Sequence, residues 1–131
     1  MEKAYLLELI ADDCGGQPIA DASAIIVEFL YATPSVKHLT FSRICKILEA
    51  QDPGFVLRVI QYLSGARLQA LEVKYELIIG DETILLEDEY LEQMQAEGVL
   101  YNPETGEPVP DFKSKVYPFF APGKAILGDV A

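Results

Sequence analysis

DPGFVLRVIQYLSGA, residues 52–66, reads as a helix with both ends written into the sequence. Asp52 can accept an orphan backbone N–H at the start, and Pro53 supplies the preset φ of a first helical position. Phe55, Val56, Val59, Ile60 and Leu63 recur at the spacing of one helix face, and Gly65 ends the run. Leu57, Arg58, Gln61 and Ser64 are left facing outward.

Upstream, LTFSRICKIL (residues 39–48) predicts a shorter helix capped by Thr40, with Phe41, Ile44, Cys45 and Leu48 inward. Ser42, Arg43, Lys46 and Glu49 point out, which sets two cations one turn apart on the solvent side. Before the breaker Thr33, Pro34 and Ser35, a helix opens at Pro18 and runs to about Tyr31, its stripe being Ala22, Ile25, Ile26, Phe29 and Leu30. Residues 2–11 place Tyr5, Leu6, Leu9 and Ile10 on one side at helical spacing, with a strand as the alternative, and residues 12–16 read as a loop.

Downstream, the period drops from helical to two. Leu71, Val73, Tyr75 and Leu77 alternate with Glu72, Lys74 and Glu76, Gly80 and Asp81 make a turn, and residues 83–86 return as the partner of a β-hairpin. Residues 88–97 predict a helix with Tyr90, Leu91 and Met94 inward and Gly98 as its stop. NPETGE (102–107) is a turn, and Pro108, Pro110, Pro118 and Pro122 predict an irregular or extended tail from Val109 onward.

At 131 residues and 14.5 kDa, with 50% hydrophobic residues, the chain suits one domain able to bury a core without metal or disulfide staples. Its apolar runs are interrupted by Glu28, Glu76 and Asp81, short of the ~20 residues of a bilayer span. The start sets acidic Glu2 beside Lys3 and carries Glu8 within its apolar stretch, unlike the basic start and clean apolar centre of a leader, so a cytoplasmic location is expected. Cys14, in a loop, and Cys45, in the core, are expected to be reduced thiols.

The net charge of -11 is unevenly spread. Residues 37–74 hold six cations and three anions; the rest holds four cations and 18 anions. From Tyr75 to Phe112 there is no Lys or Arg, only acids. Such a field repels phosphate and attracts basic partners.

The order helix, helix, short turn, helix, hairpin between about Ala22 and Leu86 resembles the winged helix-turn-helix superfamily. In members that bind DNA the third helix enters the major groove, which by position implies Gly54, Leu57, Arg58 and Gln61 as groove-facing residues and Arg43, Lys46 and Lys37 as phosphate contacts. Arg58 and Gln61 have the chemistry to read guanine and adenine. Leu57, however, suits a protein surface, and Asp81 and Glu82 put anions at the wing tip where DNA calls for cations.

Other constellations give no chemistry. His38 has no nucleophile nearby in sequence and reads as a turn or cap residue. Cys14, Cys45 and His38 lack the spacing of a metal site. Glu87, Asp88 and Glu89 read as acids at a helix start, and Gly123-Lys124 fails as the end of a P-loop because Ala follows. In KVYPFFAPG (115–123), Tyr117, Phe119 and Phe120 form either a strap over the core or an exposed aromatic anchor for a partner.

The expectation is a single α+β domain over residues 1–131, mainly helical: a winged helix-turn-helix core at about 22–86 with a two-stranded wing, an extra N-terminal segment, and a C-terminal helix and proline-containing strap at 88–131. Its expected function is a small non-enzymatic adaptor or regulator acting through protein contacts, preferably with a basic partner. Arg43, Lys46, Leu57, Arg58 and Gln61 form the candidate interaction face, and Tyr117, Phe119 and Phe120 the candidate anchor. A DNA-binding regulator, as a homodimer, is the alternative, and an acidic inhibitor or DNA mimic the second. No cofactor, metal or membrane is implied.

Overall fold

Local signals fix several helix ends where the sequence places them. Residues 1–130 are described by a computed structural model, with side chains to residue 128. Helix α1 spans Lys3–Cys14, α2 Pro18–Ala32, α3 Phe41–Leu48 and α4 Pro53–Ser64. Thr40 Oγ1 accepts from the Arg43 N–H at 3.1 Å, and Asp52 Oδ1 accepts from the Gly54 N–H at 3.0 Å, so both predicted caps are made. Strand β1 (Leu71–Ile79) turns at Gly80 and Asp81 into β2 (Glu82–Leu86). Gly80 takes the positive φ (+59°) that the two-residue turn requires. Helix α5 spans Asp88–Glu97, as expected, and β3 (Val116–Pro122) and α6 (Lys124–Val130) follow.

The fold is thus α+β: helices with one three-stranded sheet in the order β2-β1-β3. β1 and β2 pair antiparallel, Ile79 opposite Glu82 and Tyr75 opposite Leu86. The Ile78 N–H donates to the Lys115 carbonyl (2.9 Å) and the Gly123 N–H to the Ala70 carbonyl (2.8 Å). Those bonds lie eight residues apart on each strand and run β3 antiparallel to β1, with Glu76 opposite Tyr117. No described helix is long and apolar enough to cross a membrane.

The chain forms two compact units. Unit 1 is Met1–Val73 with the chain from Phe120 onward. Leu6, Ile26, Leu30, Ile44, Val56, Leu63, Leu68 and Ile126 are shut from solvent there, each burial worth roughly 1.5–3 kcal/mol. Leu39, between α2 and α3, exchanges backbone bonds with Phe120 at 2.8 and 2.7 Å. Gly123 crosses the 69–70 backbone so closely that a Cβ on it would sit 2.2 Å from the Gln69 carbonyl oxygen. Unit 2, Lys74–Phe119, has a smaller cluster of Leu77, Ile84, Leu86, Leu100 and Val109.

Three local expectations are corrected and a fourth is sharpened. α1 continues through Asp12 and Asp13 to Cys14, and the break comes at Gly15 and Gly16. Ile25 and Tyr5, assigned to buried stripes, are exposed, while Val27 and Ser23 are buried. In β1 the alternation fails at its middle, where Tyr75 is exposed and Glu76 buried. The tail takes the extended one of its two expected forms, and goes further by joining the sheet. Residues 118, 120 and 122 turn their backbone away from β1, so Pro118 and Pro122 remove no bond to it, and the segment forms a strand.

Candidate interaction surfaces

The outward face of α4 is as the sequence arranges it. Pro53 and the Asp52 cap fix the helix start, Val56, Val59, Ile60 and Leu63 bury the opposite face, and Leu57, Arg58 and Gln61 are exposed. Leu57 keeps 48% of its surface in solvent. The Arg58 guanidinium lies over the Phe55 ring, 5.8 Å from its centroid, which holds the cation against the helix. On α3, Arg43 and Lys46 are exposed, as is Lys37 before it. Glu49 ends α3 in the left-handed region (φ 51°), and its N–H reaches the Cys45 and Lys46 carbonyls.

The aromatic anchor divides. Phe119 and Phe120 are buried, 7% and 3% exposed, and only Tyr117 faces solvent, its hydroxyl donating to the Ser114 carbonyl at 3.1 Å. On the same sheet face as Tyr117 lies Leu85, 49% exposed, on the far side of Glu76. Pairing places Leu85 opposite Glu76, and Glu76 opposite Tyr117. The sequence does not mark Leu85, because LL at 85–86 conceals which leucine faces in.

A second cluster went unseen in the sequence because its members are distant. Arg67 grips Asp13 with two bonds of 2.8 Å, Nε to Oδ2 and Nη2 to Oδ1, and the Tyr62 hydroxyl donates to the same Oδ2 at 2.7 Å. The Arg67 bond, then that from Tyr62, holds the Asp13 carboxyl below the usual carboxylate range. Burial first, then the bond to Asp13, pushes the Tyr62 hydroxyl well above its ordinary value. Both effects favour the charge state that keeps the cluster tied. Asp13, Tyr62 and Arg67 pin the end of α1 to the end of α4, a structural duty.

An open groove of about 500 Å³ runs from the end of α4 to the start of β1, lined by Ser64, Gln69, Leu71, Glu72, Gly123 and Lys124 among others. Ser64 Oγ donates to the Gln61 carbonyl rather than to a base. Among the described residues no group of three His, Cys, Asp or Glu side chains is placed to hold a metal ion. His38 is exposed in the segment before α3, and Cys14 and Cys45 are free thiols on different helices. Comparison with protein-family models, with curated proteins and with solved structures finds no match to this chain.

Proposed function

We propose that this protein is a non-enzymatic adaptor or regulator that works through protein contacts, with the α4 face as a docking surface on a winged-helix scaffold. The observation that carries the reading is Leu57, half exposed at the centre of the outward stripe of a well-capped helix. A leucine there gains by burial against a protein and gains nothing beside phosphate. Support for the scaffold comes from unit 1. Its α2, α3 and α4 pack together, and Leu39 pairs with Phe120 beside the base of the β1–β3 pair. The wing then starts from β1 and β3, with residues 74–119 elaborated between them, rather than being the β1–β2 hairpin alone.

DNA binding stays the second reading because Lys37, Arg43, Lys46 and Arg58 are all exposed on or beside α3 and α4. Affinity capture from the native host with wild type, Leu57→Asp and Arg58→Ala, beside anisotropy of a labelled duplex at ~50 and ~200 mM salt, separates the two. Leu57→Asp is expected to lose a stoichiometric protein partner that Arg58→Ala retains, with the duplex unbound at both salts. Salt-sensitive duplex binding weakened by Arg43→Ala and Arg58→Ala would overturn the docking reading. Leu57 is exposed, so its replacement leaves the fold within about 0.5 kcal/mol.

A further inference from the structure

The two sides of the sheet in unit 2 end differently. Ile78 points its N–H at β3, so along β1 alternate residues face β3 and the others face β2. Tyr75, Leu77 and Ile79 therefore bond Leu86, Ile84 and Glu82, and Thr83 and Leu85 turn their N–H and C=O groups outward. β2 is an end strand, and among the described residues neither Thr83 nor Leu85 makes another backbone bond. On the other side of the sheet, Pro118 sits at an outward position of β3 and offers no N–H. One edge is blunted by proline, and the other is open, regular and free of it.

We infer that the outer edge of β2 is a strand-addition site for an extended basic peptide segment of a partner protein. Backbone bonds to Thr83 and Leu85 supply the pairing, and a side chain of the added strand lies beside Leu85 on the sheet face. Charge selects the occupant. Asp81 and Glu82 stand at one end of the edge and Glu87 and Asp88 at the other, roughly 20 Å away at strand rise. No Lys or Arg lies on β2, on the turn before it or on α5 after it. A second copy of this chain pairing in either direction would set these acids against their own kind, which is unfavourable. A segment with a short alternating apolar centre and lysines at both ends meets complementary charge at each end. This inference takes from the docking reading only the class of partner; its surface is separate from α4.

The test uses the full chain and a synthetic peptide, KKTVTVTKK, with EETVTVTEE as control, at ~50 mM salt. Hydrogen exchange followed by NMR is expected to slow at the Thr83 and Leu85 amides with the basic peptide and not with the acidic one. Thr83→Pro deletes an outward N–H without touching the ladder to β1, and is expected to weaken binding at least about tenfold. Leu85→Lys is expected to weaken it as well, by repulsion at an exposed position that the fold does not need. Leu57→Asp is expected to leave peptide affinity unchanged, which keeps failure of this site apart from failure of the α4 reading. Equal affinity for Thr83→Pro and Leu85→Lys, peptide binding with both amides exchanging as before, or no binding at millimolar peptide would each overturn the inference.

Discussion

Among the largest fully buried side chains, unit 2 supplies Leu77 and Leu100 and unit 1 all the rest, from Leu6 in α1 to Ile126 in α6. Their charges are as unequal. Unit 1 has seven cations and ten anions, a net of -3, whereas unit 2 has three cations and eleven anions, a net of -8. One region is held by burial and carries three of its seven cations, Arg43, Lys46 and Arg58, on the outside of α3 and α4. The other combines a small core with strong self-repulsion, which places it at the low end of local stability. The contrast teaches that sequence net charge describes neither part: the acidity is a property of the segment between β1 and the end of β3.

The largest expected effect comes from truncating one core and then the other. Leu30→Ala in unit 1 is expected to cost about 2–5 kcal/mol and to lower the urea midpoint of the whole chain. Leu77→Ala is expected to speed amide exchange across residues 74–119 while α2 and α4 keep their protection. Exchange in α4 accelerating equally in Leu77→Ala would mean that the two regions open as one, and the contrast would be broken.

Screening gives a smaller, sharper effect. Raising sodium chloride from ~0.05 to ~0.5 M shortens the Debye length several-fold and is expected to slow exchange in unit 2 by about fivefold, roughly 1 kcal/mol. Unit 1, with its charges nearly balanced, is expected to change little. Equal slowing in both units would show that repulsion among the acids of residues 75–112 does not set the difference.

Much of this contrast is legible in the sequence, and the rest has physical reasons for being hidden. The caps at Thr40 and Asp52, the α4 stripe, the Gly80 turn and α5 are local signals, each complete within a few residues. The sequence marks β3 only as an irregular or extended tail, because Pro118 and Pro122 argue against a sheet strand until the outward direction of their backbone is known. Glu76 reads as a solvent residue by alternation, yet it lies between Leu85 and Tyr117, a juxtaposition that exists only once three strands are in register. The exposed α4 residues were found because helical phase alone decides their direction. Asp13, Tyr62 and Arg67 were not, since nothing local links residues so far apart.

The smallest expected effect is a pH signature of the Asp13 cluster in unit 1. Asp13 has its folded pKa below the ordinary 3.8, so its tie to Arg67 contributes stability above that value and loses it as pH falls through the folded pKa. Tyr62, raised, contributes below its ordinary value and loses that contribution as pH rises through the folded one. Between these limits the tie is constant. The Tm gap between wild type and Asp13→Asn is therefore expected to stay level from pH 5 to pH 7 and to close below about pH 4. A Tm gap that persists unchanged at pH 3 would show that the Asp13 carboxylate charge plays no part in pinning α1 to α4, and that unit 1 owes that contact to packing alone.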